Sequence, residues 1–529
     1  MDQTQFLKAS PKFVRAPRCV PIAVICTLIA VAVLGAEYLP VQGRGYKVEW
    51  ERSSLSRAER DLSPIAAFRY IEAPKGLSKG SALFGTSIKI VNPTPEMAKL
   101  YRLDRDYEEH LYAWVGAPTA AKSMTDNGGA ITLMNLNTGE NFGTIYSTEN
   151  YNGHGFGYAL KLSSDGKHLG IESAGGPAAV LHQDTGDLVF FRHPDFDTYI
   201  KGRNGEFKKD VHQSGKSVYN GSRLEFLPGE LVLVTGVRQK YNASSQPGGA
   251  HASFHLFDMQ GMHLRPLYET ERDTRFRFWS YACYTTTGPR VIFKPGTDLV
   301  FYACPGLVDT GLSRLNVNGT WANGRVGAFS LAKGQHIDMT LFPDSQAVRS
   351  GSGKLGEIGH IMAMTDKRLV VTQHYPAGYA DKYDPSDSGK LHVLSIDGPT
   401  SKLAGEIGIG ASLGESIEIT AMTPKDDRFL LVAYRTVFSE DRDRNRLDQY
   451  IHERSFLGVC DLENLRFQKI EDFELEGTGV LGITSMVFNP VNRTGIIFGH
   501  PSHYGGMGRL MEIDFKPDRF DEYFYRGQQ

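Results

Sequence analysis

Val115-Gly116-Ala117-Pro118, Ala174-Gly175-Gly176-Pro177, Tyr302-Ala303-Cys304-Pro305 and Phe498-Gly499-His500-Pro501 are copies of one short pattern, an apolar run closed by a small residue and proline. Each follows two apolar runs joined by a tight turn, and this unit comes round seven times between about residue 84 and the C-terminus. The turns read Ser164-Asp165-Gly166-Lys167, Pro228-Gly229, Pro295-Gly296-Thr297, Thr365-Asp366-Lys367, Pro424-Lys425-Asp426-Asp427 and Asn489-Pro490-Val491-Asn492. They step by roughly 60 to 70 residues, and a strand-built repeat of that length closes into a propeller.

The runs before the turns alternate, as in Leu160-Lys161-Leu162, Leu224-Glu225-Phe226 and Val291-Ile292-Phe293. Those after them are more continuous, as in Leu231-Val232-Leu233-Val234, so each pair reads as a hairpin. A third apolar run follows, for example Ser253-Phe254-His255-Leu256-Phe257 or Leu391-His392-Val393-Leu394. With a more variable fourth strand this makes one blade. The expected fold is all-β, a seven-bladed β-propeller over residues 81–529, preceded by one N-terminal transmembrane helix.

Phe84-Gly85-Thr86-Ser87 leading to Gly116-Ala117-Pro118, and Phe156-Gly157-Tyr158-Ala159 leading to Gly175-Gly176-Pro177, resemble the Phe-Gly and Gly-Ala-Pro signatures of the FG-GAP repeats of integrin α subunits. The resemblance covers two blades and is degenerate over the other five. It implies a seven-bladed propeller used for adhesion and protein binding. Many members of that family carry an Asp-x-Asp-x-Asp-Gly calcium loop in the first hairpin. Here the corresponding turns hold one acid or an Asp pair, as at Asp165 and Asp426-Asp427, so no cofactor is expected and calcium is unsupported.

Composition agrees with one large β domain: 57 Gly and 25 Pro suit many tight turns. With 58 basic against 60 acidic side chains, there is no electrostatic case for nucleic acid. From Cys19 to Ala36 the chain has eighteen uncharged residues, preceded by Lys8, Lys12, Arg15 and Arg18. That is the lower length limit for a bilayer span, with the basic residues 1–18 as a short cytoplasmic tail and 19–38 as the membrane contact. A signal peptide cleaved near Gly35 or Ala36 is the rival, and either way the propeller is exported. Residues 39–80 read as a charged stalk, in which Ile65–Ile71 is a candidate ring-closing strand beside Leu510–Ile513, the alternative being a juxtamembrane helix.

Cys283 and Cys304 stand where the start of one hairpin strand faces the end of its partner, so a disulfide is expected, the alternative being two buried free thiols. Cys460 is left over as a core residue. Glycosylation sequons begin at Asn220, Asn242, Asn318 and Asn492.

Function is expected on the loops from second to third strands, which share one side of the ring and include Arg238–Gly249, Pro305–Gly324, Tyr375–Gly389, Arg435–Arg454 and Pro501–Gly508. Tyr241, Trp321, Tyr375, Tyr379, Tyr383 and Tyr504, with His500 and His503, are the candidate ligand contacts for a protein or glycan, unless they pack back on the rim. Two histidines without a third ligand make no zinc site, and the Asp441–Asp448 loop carries three arginines that would repel calcium. No catalytic residue is assigned. The alternative is a hydrolase- or lyase-type propeller with carboxylates or histidines converging in the central channel.

Overall fold

The structure is a computed structural model, which describes residues 39–40, 65–71, 85–118, 129–146, 156–173, 177–191, 217–241, 247–269, 290–304, 325–341, 357–374, 389–397, 401–415, 417–436, 454–476, 483–491, 494–500, 508–517, 519 and 524. The described strands form seven antiparallel sheets, each of which is one blade. The first strands of the blades are Ile88–Val91, Ala159–Leu162, Ser217–Leu227, Arg290–Phe293, Glu357–Met364, Ile417–Pro424 and Ser485–Phe488. First strands of neighbouring blades contact one another, except that the first strand of blade 3 meets the second strand of blade 2, and that of blade 7 returns to that of blade 1, so the ring is closed.

The core is not one mass but seven. Each sheet has side chains on both faces and each face meets a neighbouring blade, so strands such as Tyr112–Ala117 are buried along their whole length. Val180, Leu224, Val232 and Phe257 fill the seam between blades 2 and 3, and Val300, Tyr302, Phe254 and Leu233 the next. Every seam has its own apolar cluster among the described residues, including the last one, where Ile497 and Leu510 of blade 7 meet Val115 and Ile88 of blade 1. Cys460 lies in the seam of blades 5 and 6, and its thiol is pushed up by burial.

The small-residue motif has a mechanical role at two seams. A Cβ on Gly116 would stand 2.0 Å from the carbonyl oxygen of Gly157 in the next blade, and one on Gly499 would stand 1.8 Å from that of Gly85. Thus the glycine of a Phe-Gly pair in one blade sits directly against the glycine two residues before proline in the blade before it. Only hydrogen in place of a side chain permits that approach.

Ile65–Ile71 is the fourth strand of blade 7, antiparallel to Arg509–Phe515 with Phe68 opposite Ile513 and Ile71 opposite Leu510. Residues Leu39–Pro40 pair on its outer side. The closing pair carries a buried ion pair: Arg69 Nε donates to Glu512 Oε2 at 2.5 Å, and Asn489 Nδ2 donates to Glu512 Oε1 at 2.8 Å. Two helices were not expected: Ile409–Leu413 between blades 5 and 6, and Pro95–Tyr101 in the first hairpin of blade 1, begun by Thr94, whose hydroxyl accepts from Met97 N at 3.1 Å. The apolar segment 19–38 lies outside the described residues, and among those described no helix is long and apolar enough to cross a membrane.

Two substitutions test this closure by urea unfolding. Arg69→Met leaves Glu512 buried without its counter-ion and is expected to cost about 3–5 kcal/mol. Gly499→Ala forces blades 7 and 1 apart and should cost about 1–3 kcal/mol or more; unchanged midpoints for both would mean that the ring is not closed this way.

Candidate functional site

Antiparallel order decides which connections share an end of the ring. First-to-second connections are short, at residues 163–167, 228–230, 294–298, 365–367, 425–428 and 489–494; only blade 1, with its helix, is longer. Second-to-third connections, at 242–246, 305–324, 375–389, 437–453 and 501–508, emerge at the opposite end. So do the links between blades, at 147–158, 191–216, 270–289 and 342–356. One end of the ring therefore holds nearly all the long segments. Sequence reading had recognised only the first of these two sets.

Blade 3 adds to that end. Its first three strands overrun the ring, with Tyr219 opposite Arg238, Lys240 opposite Gly249 and Tyr241 opposite Pro247. They form a three-stranded arm, entered through a register shift between Asn220 and Ser222.

All eight candidate ligand residues fall, in sequence, within or at the ends of second-to-third connections. Tyr241 ends the second strand of blade 3 and His500 that of blade 7. Trp321, Tyr375, Tyr379, Tyr383, His503 and Tyr504 lie outside the described residues, as do Cys283, Asn242, Asn318 and Asn492. Cys304 ends the second strand of blade 4, and Asn220 lies on the arm.

The structure brings together a second group that sequence reading did not assign. Lys89, Lys161, Arg223, Glu225 and Arg290 all stand on first strands of blades 1 to 4, and Glu172 ends the second strand of blade 2. Arg223 Nη1 donates to Glu172 Oε2 at 2.6 Å, and Arg223 lies over the Tyr158 ring, 5.1 Å from its centroid. Lys161 pairs directly with Glu225, stands 3.8 Å from Glu172 Oε1 and donates to the carbonyl oxygen of Val291 at 2.7 Å. Its side chain thereby reaches from blade 2 past blade 3 to the free edge of blade 4.

Those free edges explain much of the polar chemistry. A first strand has a neighbour on one side only, so half its peptide groups face the channel and need partners. Ser485 Oγ accepts from Ile88 N at 3.1 Å, Ser87 Oγ from Leu160 N at 2.9 Å, and Glu172 Oε1 from Leu224 N at 3.3 Å. Glu225 in turn accepts from the Phe293 backbone. From blade 7 round to blade 4, a side chain of one blade caps the edge of the next.

The two glutamates sit in different fields. Burial opposes ionisation of Glu172, yet Arg223, Lys161 and Arg290 outweigh it, and its carboxyl lies below the ordinary range. Burial pushes Glu225 up, with Lys161 only partly offsetting it and Glu172 adding repulsion. Burial and then Lys161 hold the Lys89 ammonium below the usual lysine value. Burial and then Arg223 bring Arg290 down to about 10.

The charges were visible in Leu160-Lys161-Leu162 and Leu224-Glu225-Phe226, but in sequence an alternating run marks a strand without saying what its polar face meets. The turn carboxylates serve local backbone: Asp165 Oδ1 accepts from Lys167 N at 3.0 Å, and Asp426 Oδ1 from Arg428 N and Phe429 N at 2.8 Å each. Asp104, Asp106 and His110, in the helix-bearing hairpin of blade 1, hold ligand atoms within 4.8 Å of one another and could take a metal ion, but both aspartates are exposed and such groups are common without one.

No family model matches the chain, and no curated protein matches it. Among solved structures it is similar to the WD40 repeats of RRP9, at 10 % identity over 85 % of this chain and 97 % of that one, with a TM-score of 0.43. It is also similar to an oligogalacturonate lyase in complex with manganese, at 13 % identity over 77 % and 87 %, TM-score 0.42. A third is the Cps50 (Swd1) β-propeller domain of Myceliophteria thermophila, at 10 % identity over 82 % and 96 %, TM-score 0.42. Likeness at this level says nothing about what this chain binds.

Glu172→Gln removes the carboxylate that holds Arg223 and should cost about 3–5 kcal/mol at pH 7. Glu225→Gln should cost less, about 1–2 kcal/mol, because burial already opposes its ionisation. The sign with pH follows from the shifts: the contribution of Glu172 is present above its unfolded pKa and lost as pH falls through its lowered folded value. That of Glu225 is present at low pH and lost as pH rises through its raised value. Urea unfolding of both variants between pH 3 and 7, roughly spanning carboxylate titration, should show the Glu172→Gln deficit shrinking toward acid.

Proposed function

We propose that the protein is a membrane-anchored propeller, held outside the cytosol, that binds a protein or glycan through the connection-rich end of its ring. The observation that carries this reading is the asymmetry of the connections. A rigid ring with tight turns at one end and long segments plus a projecting arm at the other matches a scaffold that presents one binding face. The anchor rests on the uncharged stretch Cys19–Ala36 and its basic flank, with cleavage as a signal peptide the other way to the same compartment.

A second reading is favoured by one specific observation: Glu172 and Glu225 share Lys161 and are shifted in opposite directions, as in acid and base pairs of enzymes. Against it, both carboxylates already serve Arg223, Lys161 and backbone N–H groups. The structural demand of the free edges accounts for them, so the interaction reading is preferred.

The test compares the two ends of the ring. On a glycan array and a panel of cell-surface ectodomains, Arg238→Glu with Lys240→Glu on the arm should weaken any bound ligand by about tenfold or more, the size of a lost 1.4 kcal/mol. Lys167→Glu, on the opposite end, should leave it unchanged. The reverse pattern would place the binding face elsewhere. Protease protection of a C-terminal tag in intact cells tests the export: digestion only after permeabilisation would refute the extracellular form.

A further inference from the structure

The arm of blade 3 has two unlike faces. Tyr219 stands opposite Arg238 and Arg238 opposite His251; Ser217 stands opposite Lys240 and Lys240 opposite Gly249. Directly paired residues share a face of a sheet, and so do residues two apart along one strand. One face of the arm therefore holds Ser217, Tyr219, Arg238, Lys240, Gly249 and His251. The other holds Val218, Asn220, Val237, Gln239, Ala250 and Ala252. Pairing puts the α-carbons of Arg238 and His251 about 5 Å apart, and strand rise puts those of Arg238 and Lys240 about 7 Å apart.

Charge on the arm has one sign. Residues 217–222 and 236–252, which include the connection at its tip, contain Arg238, Lys240 and His251 and no Asp or Glu. The segments that flank blade 3 in sequence do not reverse this. Residues 191–216 carry six Lys or Arg against four Asp or Glu, and residues 270–289 carry three against two. The carboxylates of the sheet itself begin below the arm, at Glu269 opposite Ser253. In a chain with slightly more acid than base, a projecting ribbon with cations and no acid is the electrostatic footprint of an anionic partner.

We infer that the arm binds an acidic polysaccharide on the face bearing Arg238 and Lys240, with Tyr219 in the same row as a platform for a sugar ring. This rests on the connection-rich end being the binding face and names the partner of that face. A guanidinium offers an anionic group a fork of parallel donors, and an ammonium offers a point charge. Both stand on an open ribbon, which suits an extended chain laid across its rows better than a single small anion. A sugar ring presents an apolar C–H face that packs on an aromatic ring and hydroxyls that bond to polar neighbours, which suits Tyr219 beside Arg238. The near-neutral chain as a whole gives no case for nucleic acid.

The experiment titrates fluorescently labelled dextran sulfate, carboxymethyl dextran and neutral dextran of matched length with the purified full-length protein, read by anisotropy. Both charged dextrans should bind, about tenfold or more tighter than the neutral one, and sodium chloride should weaken them. Arg238→Gln with Lys240→Gln should weaken the charged chains by about tenfold or more, and Tyr219→Ser by about fivefold. Arg265→Gln removes the same charge from the exposed outer strand of blade 3 and should change nothing. If the double variant does not fold, Lys240→Gln alone decides, with an expected loss of about threefold. Either order of sulfate and carboxymethyl chains supports the site and identifies its anion. Charged dextrans bound no better than neutral dextran, or unaffected by the arm variants, overturn it. So does tighter binding of poly-glutamate or of a single-stranded DNA of equal charge. If a protein or neutral glycan is held through this end while charged dextrans are not, the polysaccharide falls and the partner-binding reading stands. If Lys167→Glu weakens the charged dextrans and the arm variants do not, both fall.

Discussion

The first strand of every blade has one edge without a strand beside it, and the rest of the ring is arranged around that fact. Closing a propeller removes outer edges but creates an inner circle of peptide groups that no sheet can satisfy. Here the solution passes from blade to blade: Ser485 caps Ile88, Ser87 caps Leu160, Glu172 caps Leu224, and Lys161 reaches the carbonyl of Val291. Because the capping groups include a carboxylate and an ammonium, charge is drawn into the channel. Arg223 and Glu225 then accompany it as counter-ions.

The same geometry separates structure from function. Hydrogen bonding explains Glu172, Glu225, Lys161 and Arg223 without any ligand, since each holds an edge or a charge. Lys89 and Arg290 stand beside them on the first strands of blades 1 and 4. The blades also direct their long connections to the end of the ring where Arg290 begins its strand.

The glycine motif illustrates how much meaning changes between levels. As sequence, Gly116-Ala117-Pro118 and Phe156-Gly157 resemble FG-GAP repeats and suggest adhesion. As structure, they are the contact itself, a backbone seated on a backbone at 2.0 Å from where a side chain would begin. The acids of the turns accept hydrogen bonds from N–H groups of their own turns.

Blade number, hairpin order and the closing strand Ile65–Ile71 were legible in sequence because they follow from local periodicity, turn residues and a fixed repeat, each a short-range property. The side of the ring carrying the second-to-third connections was legible for the same reason. The helix at Pro95–Tyr101 was missed because a turn of helix inside a hairpin breaks the repeat that guided the reading. The channel group was missed because, apart from Lys161 beside Glu172, the contacts that join its members span 51 to 130 residues. Alternation showed that Lys161 and Glu225 lay on one side of a strand; only closure of the ring decided that this side faced other charges instead of water.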